Sequence, residues 1–134
     1  MARRLTSGRF VLTEDSLGVA GALATLLRQR DASVEVVDMA TLASEPALLE
    51  RCRELGVAGI AGVVHLAALG QPALTSTSTP GDWQAALQVS EKAFFTLLRE
   101  LGPAMGEGAH AVAASDLGGR FAREGDSSGA LRLV

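Results

Sequence analysis

A chain of 134 residues holds one domain with a sizeable core, and its net charge of −3 argues against a nucleic-acid surface. With 48% hydrophobic residues and 15 glycines it has the composition of a packed domain rather than a disordered one. No run approaches the ~20 apolar residues of a membrane span, and the one cysteine, Cys52, excludes an internal disulfide or a structural zinc site.

The opening Met-Ala-Arg-Arg-Leu-Thr has no apolar stretch behind its arginines, so no signal peptide is read there and a cytoplasmic location is expected. Residues 9–13 (RFVLT) are a short apolar run, followed by Glu14-Asp15-Ser16, which includes good helix-capping types. Leu17, Ala20, Leu23, Ala24 and Leu27 then recur at three and four, the buried stripe of a helix. Residues 33–38 (SVEVVD) alternate and are rich in valine, a second strand. Ser44, Glu45 and Pro46 open a helix over 44–55, with Leu48, Leu49, Cys52 and Leu55 facing inward and Gly56 ending it.

Residues 59–69 (GIAGVVHLAAL) are nearly all apolar, the mark of a strand covered on both faces. Residues 70–81 read as a loop, and Asp82 is expected to cap the longest helix, 83–101. Trp83, Leu87, Ser90, Phe94, Leu97 and Leu101 share one side of it, and Gly102-Pro103 stop it. Residues 109–115 (AHAVAAS) read as a fourth strand, and 116–134 are Gly-, Ser- and charge-rich until a final apolar ALRLV. Strands separated by helices imply right-handed crossovers and a parallel sheet, in the expected order 2-1-3-4. The fold class expected is α/β, a truncated Rossmann-like three-layer sandwich of about four strands, with residues 1–134 a single domain.

Chemistry is sought first in the turn after strand 1. A phosphate-binding turn needs glycines, so that backbone N–H groups at a helix N-terminus approach a pyrophosphate. Gly18 and Gly21 leave only a weak GxxG, and Glu14 and Asp15 stand where glycines are wanted. A carboxylate about 4 Å from a phosphate charge costs about 1 kcal/mol in water and about 4 near a protein surface. The carboxylates can also occupy the N–H groups themselves. Asp38 ends strand 2 twenty residues after Gly18, where a ribose-binding acid belongs, but it equally suits a strand-end cap. His65 and His110 lie in strands 3 and 4 as possible general bases, and apolar surroundings favour packed, hydrogen-bonded core roles. Ser115 and Asp116 fall at the C-terminal end of strand 4, the edge where α/β sites form. There is no GxSxG elbow, no tyrosine anywhere, and only one lysine, Lys92, inside a helix. Arginines flank Cys52 and can lower a thiol pKa, but an inert reduced thiol is the plainer reading. The Glu14-Asp15 pair also suits a response-regulator receiver, yet strand 3 ends His65-Leu66-Ala67-Ala68, without the aspartate a receiver needs. No catalytic, cofactor-binding or metal-ligating residue is assigned.

Several segments together resemble a known family. RFVLTEDSLGVAGALATLLRQRDASVEVVD resembles the opening of the ketoreductase region of type I polyketide synthases and polyunsaturated fatty acid synthases, which are similar to short-chain reductases. GIAGVVHLAAL resembles its third core segment, and Trp83 through LLRELGP, then AHAVAASDLGGRFAREG, its long helix, next strand and glycine-phenylalanine turn. The resemblance covers most of residues 9–125 and rests more on the order of the segments than on any one of them. It implies a ketoreductase made of two reductase-like halves. The first half is truncated and non-catalytic; the second holds NADPH and the Ser, Tyr and Lys that reduce a β-ketoacyl group on an acyl carrier protein. The chain resembles the first half. Its expected partners are the catalytic half and, through it, the carrier protein, with no nucleic acid and no membrane; ALRLV suits packing against further sequence. Two rival readings are a small stand-alone NAD(P)-dependent oxidoreductase using His65 or Ser115, and a non-enzymatic binding or regulatory α/β domain.

Overall fold

The computed structural model describes residues 8–115, apart from 58 and 73. Four strands, β1 (Arg9–Thr13), β2 (Ser33–Val37), β3 (Ile60–His65) and β4 (Met105–Ala113), form one sheet in the order β2-β1-β3-β4. All three pairings are parallel, with Thr13 against Val37, Leu12 against Val64 and His65 against Ala113. The order expected from sequence is therefore the observed one. β1 is central, and four of its five residues are buried, which is why its sequence is a continuous apolar run rather than an alternation.

Helices lie on both faces. The helix α1 (Val19–Gln29) covers one, packing Ala24 and Leu27 against Phe10 and Leu12. The other carries the larger core. There α2 (Met39–Leu42), α3 (Glu45–Leu55) and α5 (Ala93–Leu101) bring Leu42, Leu48, Leu55, Leu97 and Leu101 onto Val11, Val37 and Val63. The short α2, unforeseen in the sequence, follows β2 directly, capped by Asp38.

Several expected boundaries move. Leu17 is 62% exposed and precedes α1, because Gly18 takes a left-handed φ of 82° and the helix begins only at Val19. The third apolar run leaves the ladder at His65; Leu66, Ala67 and Ala68 stay buried in a turn instead. The long helix starts at Pro80, not 83. Thr79 is its cap, and Asp82 is the reciprocal member of a capping box, accepting the Thr79 N–H at 2.8 Å. It runs as α4 (Pro80–Leu87), a π turn (Gln88–Lys92) and α5 without a break. β4 starts four residues before its expected place. Met105 pairs with Ile60 and His110 with Gly62, so five steps on β4 span two on β3, a bulge that includes Gly108 at φ 81°. The ALRLV segment lies outside the described residues.

Candidate functional site

In a parallel α/β sheet the site is expected beyond the C-terminal ends of the central strands, here β1 and β3. The turn leaving β1 is closed by its own side chain. Asp15, 8% exposed, accepts the Leu17 and Val19 N–H groups on Oδ2, at 3.0 and 3.1 Å, and the Ala20 N–H on Oδ1 at 2.8 Å. These are the donors that open α1, the ones an anion at a helix N-terminus would take. The carboxylate is the anion of this turn. A pyrophosphate there would have to displace it and then meet its charge.

The loop after β3 seals the same turn from the other side. Ser16 Oγ donates to the Leu69 carbonyl at 3.1 Å, and Gly70 sits at φ 73°. A Cβ on Gly70 would lie 2.5 Å from Ser16 Oγ and 2.8 Å from Leu17 Cγ, so the two loops are in contact through a glycine-sized gap. Glu14 points elsewhere, its Oε1 accepting the Met39 N–H at the start of α2. Asp38 accepts the Thr41 N–H at 2.8 Å, and the Thr41 hydrogen bonds hold its carboxyl below the usual range. Of the two uses open to Asp38 in the sequence, the observed one is the strand-end cap.

His65 is buried at the end of β3, sandwiched between β1 and the π turn. Its Nε2 lies 2.8 Å from the Ser90 carbonyl, which can only accept, so Nε2 carries the proton. Nδ1 must then accept, and Thr13 Oγ1 at 3.2 Å is the donor. The Thr13 oxygen in turn accepts the Leu66 and Ala67 N–H groups at 2.7 and 3.1 Å, which fills both its lone pairs. Phe94 stacks on the ring, centroids 5.1 Å apart and planes 11° from parallel. Burial pushes the imidazole pKa down, opposed by the Ser90 and Val89 carbonyls. A ring 1% exposed with both nitrogens engaged has the surroundings of a packed, hydrogen-bonded core residue. The sequence offered His65 as a candidate but gave no sign that Thr13 completes it; a threonine ending an apolar strand is too common to stand out.

The remaining candidates are scattered. His110 is exposed and pairs with Gly62, three residues from His65, so strand alternation places it on the opposite face of the sheet. Ser115 is exposed just past β4; Asp116 lies outside the described residues. Lys92 is exposed in the π turn. Cys52 is 2% exposed, and burial, then Glu100, push its thiol up to about 11, so the flanking arginines do not activate it. Among the described residues no group of three or more His, Cys, Asp or Glu could hold a metal ion, and no helix is long and apolar enough to cross a membrane. A cleft of about 460 Å³ does open at the C-terminal edge, between Met39, Pro72, Leu74, Asp82, Ala86 and Val89. Among the described residues its one charged lining group is Asp82.

No protein-family model matches the chain, and no curated protein does. Solved structures match its shape. A small-chain dehydrogenase superposes with a TM-score of 0.67 at 12% identity, over 80% of this chain and 59% of its own. A short-chain dehydrogenase from Burkholderia cenocepacia, solved with NADP, gives 0.58 at 20% identity, over 82% of this chain and 46% of its own. A glucose/ribitol dehydrogenase of the short-chain dehydrogenase/reductase type from Brucella melitensis gives 0.59 at 17%, over 88% and 60%. The chain thus spans about half the length of the structures it resembles. What the comparisons establish is the fold: a four-stranded parallel part of the Rossmann-like fold of short-chain dehydrogenases and reductases.

Proposed function

We propose that this chain is a non-catalytic, reductase-like scaffold, the structural half of a ketoreductase region in a polyketide or polyunsaturated fatty acid synthase. Its task in that setting is to support a catalytic half that reduces a β-ketoacyl group on an acyl carrier protein with NADPH. The observation that carries this reading is the Asp15 carboxylate holding the Leu17, Val19 and Ala20 N–H groups. Two features agree with it. The sequence has no tyrosine to serve as proton donor, and its one lysine lies on the helix surface. The chain covers only 59% and 46% of two matched dehydrogenases, which leaves room for further sequence elsewhere. The cytoplasm is the compartment we expect, where Cys52 stays reduced.

The stand-alone oxidoreductase reading needs His65 or Ser115 to move a proton. His65 is sealed between Thr13, Ser90 and Phe94, and the described residues give Ser115 no hydrogen-bonded partner. Calorimetric titration of NADPH and NADH into the chain separates the two. The scaffold reading expects no saturable heat at millimolar cofactor; micromolar binding of either dinucleotide would overturn it.

A further inference from the structure

A second proton on His65 acts in opposite directions on the two sides of its ring. On the helix side, Nε2 donates to the Ser90 carbonyl at 2.8 Å and Phe94 stacks on the ring at 5.1 Å. A positive imidazole strengthens both, one as a charge-assisted hydrogen bond and the other as a cation over an aromatic face. On the strand side, Nδ1 accepts from Thr13 Oγ1 at 3.2 Å. Once Nδ1 carries a proton it needs a lone pair there, and the Leu66 and Ala67 N–H groups already hold both. The ring therefore stays with the π turn and α5, and the contacts on Thr13 yield. The turn they hold is a unit, closed by the Leu69 N–H on the Leu66 carbonyl at 3.0 Å. Its last carbonyl, of Leu69, is the one that Ser16 holds from the turn after β1.

We propose that His65 is a proton-operated latch: a proton taken up at Nδ1 releases the turn 66–69 from Thr13, and with it the contact to Ser16, while the sheet and helices stay folded. The new charge meets no counter-ion where it lies. Thr13, the Ser90 carbonyl and Phe94 are neutral, as is Ala113, its neighbour on β4. The charged groups of the elements around it are engaged or exposed elsewhere. Beyond β1, Glu14 and Asp15 bond the α2 and α1 amides, and Arg9, at the far end of that strand, bonds the Leu55 carbonyl. Glu91 and Lys92 of the π turn are exposed, as are Arg99 and Glu100 of α5, which pair with each other. On β4, Glu107 is exposed and His110 lies on the opposite face of the sheet. An unpaired charge kept in the core costs more than the two neutral hydrogen bonds that hold the turn, so the turn opens to water. This inference does not depend on the proposed function.

NMR of the full chain tests it, from neutral pH down to the point where circular dichroism shows the fold to be lost. The His65 ring nitrogens and the Leu66 and Ala67 amides are expected to change together in one step, before that point. Hydrogen exchange at the two amides is expected to quicken at least about tenfold across the step, while the β1 and α5 amides keep their protection. His65→Gln carries no titrating ring, and in it the step is expected to vanish. An imidazole that stays neutral until the fold is lost overturns the proposal. So does a ring that titrates while Leu66 and Ala67 stay protected, or a step that persists in His65→Gln. The first two results come from the unaltered chain, so they decide the matter even if the variant does not fold.

Discussion

Thr13 shows how one hydroxyl shapes the region around the sheet's C-terminal edge. It donates to His65 and accepts two backbone N–H groups, so the turn after β3 and the imidazole depend on the same oxygen. Thr13→Val keeps the shape and removes the oxygen. Each buried donor left without a partner costs about 1–3 kcal/mol, so a loss of about 2–5 kcal/mol is expected in urea unfolding. His65 gives a pH signature with a defined sign. The unfolded chain binds a proton near the ordinary value of 6.5, and burial makes the folded chain bind it less readily. The contribution of the neutral ring is complete above that value and is lost as pH falls below it. Stability should therefore fall as pH drops through the ordinary histidine range, with a slope below the one-proton limit of about 1.4 kcal/mol per pH unit. In His65→Asn that slope is expected to vanish, with lower stability at pH 7.5; an unchanged slope in urea midpoints would contradict the buried neutral assignment.

The elements were legible where burial follows periodicity and illegible where a single hydrogen bond sets the boundary. β1, β2 and α3 fall within a few residues of their expected spans because their apolar patterns decide them. The run 59–69 was read as one strand because all of it is apolar, yet Thr13 draws Leu66 and Ala67 out of the ladder. Asp82 was read as a cap because Thr79 and Pro80 were counted in the loop; the capping box adds a turn. The end of α1 offers a test at this scale. Asp31 sits at φ 65°, and the Arg30, Asp31 and Ala32 N–H groups turn back to the Leu27 and Arg28 carbonyls. That is the left-handed helix stop that glycine prefers. Asp31→Gly is expected to raise stability by about 1 kcal/mol in thermal unfolding, from the relief of left-handed strain.

At the scale of the whole molecule, the alternation of strands and helices led to a parallel sheet with the expected order 2-1-3-4, and the resemblance of the segments led to the reductase-like fold. The sequence also raised the suspicion against the first turn, since Glu14 and Asp15 are visible in it. Their division of labour was not visible: Asp15 turns in to the α1 N–H groups, while Glu14 crosses to α2. Nor could the sequence show that Gly70 lets the β3 loop press on Ser16 and Leu17, a contact 53 residues apart. Together these make a nucleotide-type fold whose anion position is taken by the protein itself. The most direct measurement is an NMR titration with NADPH, followed at the Leu17, Val19 and Ala20 amides. If Asp15 keeps those donors, their resonances stay in place as NADPH is added to millimolar concentration. Saturable shifts at all three, with micromolar affinity, would mean that the diphosphate displaces the carboxylate and that the chain is a cofactor-binding reductase domain after all.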